Sequence, residues 1–197
     1  MISSTGKFVS MLRFHQCVLI LATLALSWLG MQAVHELGHV LGAFVSGGKV
    51  AEVVLHPATI SYTRLAENPN PLLVVWLGPL IGIALPLVAL AIAYWASLPG
   101  WFLVQFFAGF CLVANGAYLG VGSLNRVGDA GDLLRHGTPI ALLWLFGLIT
   151  IAIGFWLWNG LGPHFGLGSG RGQINRRAAY VALVLLVMLV SLELALS

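Results

Sequence analysis

Two histidines and a glutamate stand close together in the stretch Val34-His35-Glu36-Leu37-Gly38-His39-Val40. On a helix, side chains four residues apart lie one above the other on the same face. His35 and His39 are so placed, and both imidazoles can reach one cation. Glu36 sits beside them, where a carboxylate can take and return a proton. This is the H-E-x-x-H spacing of zinc peptidases, with the imidazoles as ligands and the glutamate as general base. The setting sharpens the reading, because residues 16–34 contain no Asp, Glu, Lys or Arg and residues 40–48 are apolar or small. An ionisable group at bilayer depth costs about 2.5–3.5 kcal/mol on insertion scales. Three together call for a compensating partner, and a divalent cation is one.

Catalytic zinc keeps three protein ligands and one open position, so a third ligand must come from elsewhere. The remaining carboxylates are Glu52, Glu67, Asp129, Asp132 and Glu193. Asp129 and Asp132 lie together in the polar segment 124–137, LNRVGDAGDLLRHG. A plain structural role for Asp129 is to cap a short helix over about residues 130–136, which is compatible with ligation. His15, His56, His136 and His164 have no ligand spacing and read as structural or interface residues.

The elements that must position these groups are membrane helices. The chain has 197 residues, of which 59% are hydrophobic and 8% charged. Soluble domains carry about 25% charged residues, so this chain lacks the charge to cover a globular surface. Five apolar stretches, at about residues 14–45, 71–95, 101–124, 139–158 and 180–196, meet or approach the ~20 residues needed to span a hydrocarbon core. The 24 glycines suit close helix–helix approach in lipid. Cys17 and Cys111 sit in apolar runs and read as small hydrophobes. No basic cluster exists beyond Arg171, Arg176 and Arg177, and nothing points to nucleic acid. The N-terminal run passes Ala33 without a boundary, so it is read as an uncleaved span.

Residues 47–70 differ in character. Thr59, Ser61 and Thr63 alternate with Ile60 and Tyr62, a strand period, and His56-Pro57 reads as the turn between two short strands. The expected fold is therefore an all-α integral membrane protein of about five transmembrane helices, with a small β-hairpin between the first two. A bare sheet edge cannot face lipid, so the hairpin belongs at the interface or against the helices. In a five-span topology, Lys7, Arg13, Arg171, Arg176 and Arg177 fall at one end and Lys49, Arg64, Arg126 and Arg135 at the other, too even a division for the positive-inside rule to orient the chain.

An H-E-x-x-H embedded in an apolar helix resembles the site-2 protease family of intramembrane zinc metalloproteases. The second motif of that family is an Asp-Gly near the end of a later core helix, often continuing as D-G-G-R-x-L. Asp129-Ala130-Gly131-Asp132-Leu133-Leu134 is similar in register. The resemblance implies Asp129 as third ligand, with Asp132 at the family's Arg position and as the runner-up ligand. This chain departs from the pattern: Ala130 replaces the glycine, and the family's Asn and Pro upstream of the Asp are not at their usual spacing. Asn125, four residues before Asp129, is the nearest match to an Asn that in the family helps hold the substrate or the developing oxyanion. Asn115 is the other candidate and reads first as an interhelical hydrogen-bonding group. The resemblance extends to Gly78-Pro79 and the strand segment and covers roughly residues 20–136.

The implied organisation is one membrane domain over residues 1–197, with a catalytic core at about 14–136 and two accessory spans at about 139–196. The implied activity is zinc-dependent hydrolysis of peptide bonds in membrane-embedded substrates, within the lipid bilayer of a prokaryotic inner membrane. The partner is a membrane protein with a transmembrane segment. Two other readings fit the same residues: a zinc-bound scaffold or regulator that does not cleave, and a small transporter or proton-relay subunit in which buried His, Glu and Asp move ions.

Overall fold

The computed structural model describes residues 4–196. The order of elements is α1 (Ser4–Val45), β1 (Lys49–Val54), β2 (Tyr62–Glu67), α2 (Pro71–Trp95), α3 (Trp101–Asn125), α4 (Gly128–Arg135), α5 (Ile140–Trp158) and α6 (Arg176–Leu196), with two short 3₁₀ turns between α5 and α6. Among the described residues, five helices are long and apolar enough to cross a membrane: α1 over Met11–Val45, α2, α3, α5 and α6. The chain is a multi-pass membrane protein with a two-stranded antiparallel hairpin between its first two helices.

Glycine sets how closely the helices approach. Gly38 and Gly42 of α1 pack on the backbone of α2, where a Cβ at Gly42 would lie 2.8 Å from the Val74 Cα and one at Gly38 would strike the Leu77 carbonyl. Gly116 and Gly147 hold α3 against α5, with a Cβ at Gly147 meeting the Gly116 carbonyl oxygen at 2.8 Å. Lipid offers helices no hydrophobic drive to associate, so close van der Waals approach through small residues takes that role. α2 starts where Asn70 caps it, its side chain accepting from the Leu73 N–H at 3.1 Å with Pro71 in the first turn. Asn is a preferred cap and Pro is tolerated at the first helical position.

The hairpin lies along α1 and descends beside it. The Ser61 N–H donates to the Gln32 Oε1 at 2.9 Å, and the Thr63 hydroxyl donates to the Glu36 Oε2 at 2.7 Å. Gln32 is thirteen residues before the end of α1, or about 20 Å at 1.5 Å per residue. The tip therefore reaches well below the helix end, resting on α1 as the lipid constraint on bare backbone requires. Strand pairing runs from Lys49 opposite Glu67 to Val54 opposite Tyr62. Thr59, Ile60 and Ser61 lie in the connecting loop and not in the expected strand. The backbone turns at 56–59, closed by Thr59 N–H to His56 O at 3.2 Å, and Ser61 spends its N–H on Gln32.

α4 brings the chain back under the end of α3. Arg126 and Gly128 both take left-handed backbone, at φ 54°. At Gly128 a Cβ would strike the Tyr118 hydroxyl, so glycine is required both by conformation and by space. The helix begins after Val127, whose side chain makes no capping bond. Asp129 sits in the first turn and is not the cap, which leaves its carboxylate free to point elsewhere.

Candidate metal centre

The two imidazoles meet the Asp129 carboxylate inside the bundle. His35 Nε2 lies 2.8 Å from Asp129 Oδ2, His39 Nε2 lies 3.2 Å from the same oxygen, and the two Nε2 atoms are 3.1 Å apart. A tetrahedral cation with ligand bonds of about 2.0–2.1 Å separates its ligands by roughly 3.3 Å, close to this triangle. His35, Glu36 and His39 are buried.

The partners of the other ring nitrogens decide what the Nε2 atoms offer. His39 Nδ1 is 3.0 Å from the Val74 carbonyl oxygen, which can only accept, so Nδ1 carries the proton. His35 Nδ1 is 2.7 Å from Asn115 Oδ1. The Asn115 amide nitrogen donates to the Cys111 carbonyl at 2.9 Å, which fixes the oxygen toward His35 and makes that Nδ1 the donor as well. With both Nδ1 protons committed, two Nε2 lone pairs and a carboxylate oxygen converge on one point. Such a cluster needs a cation or added protons between its members, and its donors, two imidazoles and a carboxylate with outer hydrogen bonds in place, are those of a divalent metal site.

With added protons on the Nε2 atoms in place of a cation, burial works to raise the Asp129 carboxyl, but hydrogen bonds from His35 and His39 and their charges outweigh it and hold it well below the usual carboxylate range. The Asp129 N–H donates to the Tyr118 hydroxyl at 3.2 Å, and the Tyr118 ring stands edge-on to His35. Glu36 contributes a second carboxylate, with ligand atoms of His35, Glu36 and His39 all within 4.8 Å of one another. Asp129 is the better third ligand because it is nearer to both imidazoles. Glu36 is held instead by Thr63 on β2.

A cavity of about 490 Å³ opens on this cluster, lined by the three α1 residues, by Ser61 to Leu65, by Tyr118 and by Asp129 and Asp132. Asp132 reaches the rim, where it pairs with Arg135. Asn125 is exposed at the end of α3 and does not line the cavity. Asn115, read as an interhelical group, is one, and its α1 partner is His35. Of the other acids, Glu52 pairs with Arg64 and Glu67 with Lys49, and Glu193 is buried on α6 outside the cavity. Sequence reasoning missed Tyr118, Thr63 and Gln32. The signal for Gln32 was present, an amide one turn before Glu36 in an apolar run; Tyr118 and Thr63 carry none.

Compared with protein-family models, with curated proteins and with solved structures, the chain matches none. The functional reading therefore stands on the site.

Proposed function

We propose that this chain is an intramembrane zinc metalloprotease that hydrolyses peptide bonds of membrane-embedded substrates. The observation that carries the proposal is the convergence of His35 Nε2, His39 Nε2 and Asp129 Oδ2 beside the Glu36 carboxylate, at the wall of a cavity bordered by a β-strand. His35, His39 and Asp129 would hold the metal. When bound, zinc supplies a bound water of lowered pKa and a Lewis acid for the scissile carbonyl.

The remaining steps belong to the chain. Glu36 accepts the proton of the attacking water as the new C–O bond forms, and then delivers it to the leaving amine as the peptide C–N bond breaks. Thr63 aims the Glu36 carboxylate through its hydroxyl. Asn115 and the Val74 carbonyl hold the imidazole rings in place. A helical substrate hides its carbonyls in i→i−4 bonds and must unwind before attack. β2 forms the cavity wall, whereas Lys49, Val50 and Ala51 of β1 do not line it. An unwound segment would add beside β2 as a strand, the general mode of β-augmentation.

The test is zinc quantification on purified protein together with cleavage of a single-span substrate in proteoliposomes. Wild type should carry one zinc and cleave. Glu36→Gln should keep the zinc and lose cleavage, and His35→Ala should lose both. Zinc without cleavage of any such substrate would favour a non-proteolytic scaffold, and absence of zinc would favour a proton relay.

A further inference from the structure

The charges divide unevenly between the two ends of the bundle. The end holding the start of α1, the α2–α3 turn and the α5–α6 connection carries Lys7, Arg13, Arg171, Arg176 and Arg177 and no acid. All 6 Asp and Glu residues lie in the other half, with Lys49, Arg64, Arg126 and Arg135. There, Lys49, Arg64 and Arg135 are paired with Glu67, Glu52 and Asp132. Arg13, Arg171, Arg176 and Arg177 are exposed and have no acidic partner among the described residues. One end is thus a field of uncompensated cations, whereas at the other the acids outnumber the bases six to four and only Arg126 lacks an acidic partner among the described residues.

Directly at the cationic end is an apolar groove of about 230 Å³ whose lining includes Ile20, Leu24, Phe106, Trp158, Phe165 and Leu167. It is a built feature. The Gln16 side-chain amide donates to the carbonyls of Phe165 and Gly166, both at 3.0 Å, and pins the 3₁₀ segment Gly162–Phe165 onto α1. Trp158 is fixed by its indole N–H to the Phe106 carbonyl at 3.0 Å. Leu161 and Phe165 belong to one buried cluster with Leu19, Ala178 and Ala179, and Ile174 packs against it. Ala178 follows Arg177 directly and Ile174 lies between Arg171 and Arg176, so the three exposed arginines flank in sequence the residues of the cluster that floors the groove.

We propose that this end of the bundle binds an anionic glycerophospholipid, with an acyl chain in the groove and the phosphate on Arg171, Arg176 and Arg177. The apolar walls would accept the chain of any phospholipid. The choice of an anionic one rests on charge complementarity: a zwitterionic head leaves the arginine field uncompensated, whereas a net negative head neutralises it. Basic residues at a membrane surface favour anionic lipid by roughly fivefold each.

The experiment is native mass spectrometry of the full chain released from nanodiscs of equal phosphatidylglycerol and phosphatidylcholine. Wild type should retain phosphatidylglycerol selectively. The triple variant Arg171→Gln, Arg176→Gln, Arg177→Gln should lose that preference by about a hundredfold, and Arg126→Gln at the opposite end should keep it. Leu24→Trp fills the groove and should abolish retention with the arginines intact. If that variant fails to accumulate, Leu167→Trp, from the half-exposed rim, tests the same point. Equal retention of both lipids by wild type, or undiminished phosphatidylglycerol on the triple variant, would overturn the proposal. So would a preference that survives groove filling, since surface charge alone would then explain it.

Discussion

The Nδ1 atom of His35 lies 2.7 Å from the Oδ1 atom of Asn115, which is 80 positions further along the chain. The amide cannot rotate away without also giving up its bond to the Cys111 carbonyl. One buried side chain on α3 therefore fixes the ring plane and tautomer of a proposed ligand on α1. Loss of such an outer partner typically lowers metal affinity 10–100-fold. Asn115→Ala, which removes both amide hydrogen bonds without adding bulk, should show that loss in a chelator competition while the protein still inserts. Unchanged affinity would mean that the ring is oriented by packing alone.

The two acids of α4 should separate cleanly. Asp129→Asn removes the charged donor nearest both imidazoles, and zinc should fall below stoichiometric content after dialysis. Asp132→Asn removes an exposed pairing with Arg135, worth about 0–1 kcal/mol, and should leave zinc content and thermal stability close to wild type. The reverse pattern would make Asp132 the ligand.

Acid should expel the metal through the imidazoles, not through Asp129. The Asp129 carboxyl is held well below its usual range. A group depressed in this way stays ionised as pH falls and is neutralised only in strong acid. The competing protons are those that bind the Nε2 atoms, up to two per metal. The logarithm of zinc affinity should fall with decreasing pH, with a slope approaching two protons, because both imidazole lone pairs must be free of protons to bind the metal. Asp129→Asn should keep that slope at lower affinity. A variant that loses the slope would show that Asp129 carried the competing proton.

Most of the fold was legible because lipid leaves few choices. A run of about twenty apolar residues between Gly, Pro or polar breaks has one way to satisfy its backbone, and the expected bounds 71–95 match α2. The hairpin was legible from its β-branched composition, but strand alternation over 59–63 ran into the loop, because a side chain on α1 captured the Ser61 N–H. His35, Glu36 and His39 were legible from spacing within one helix. Asp129 needed a family resemblance to single it out from the other acids, because what brings it to the imidazoles is a left-handed turn at Arg126 and Gly128 that no periodicity announces. Tyr118 and Thr63 were invisible for a similar reason: their partners lie on other elements, and their residue types are common in helices and strands.

The close crossing of α1 and α2 makes a prediction at Gly78. A Cβ there would strike the His39 ring. Overpacking of this kind costs about 1–3 kcal/mol, and here the part forced to move is a proposed ligand. Gly78→Ala should lower zinc affinity more than it lowers the melting temperature of the metal-free protein. Gly137→Ala is a control at a glycine with no heavy atom near its Cβ position; its φ of +86° should lower stability without touching metal affinity.

Thr63 tests whether the hairpin takes part in the chemistry. Its hydroxyl donates to the Glu36 Oε2 at 2.7 Å from a strand that carries no other tie to that carboxylate among the described residues. Thr63→Val removes the hydroxyl while keeping a β-branched side chain, so the strand and its pairing with Val53 should persist. Zinc content should therefore stay at wild-type level. A hydrogen bond to a charged group contributes about 1.5–3 kcal/mol, so an unanchored Glu36 should lower kcat by roughly tenfold to a hundredfold on the proposed substrate. KM should move little, because Thr63 positions the base and not the peptide. Thr63→Ser, which restores the donor without the methyl group, should recover most of the rate. If Thr63→Val and Thr63→Ser instead both raise KM at unchanged kcat, the residue serves strand addition of the substrate, and the hairpin acts in binding and not in aiming the base.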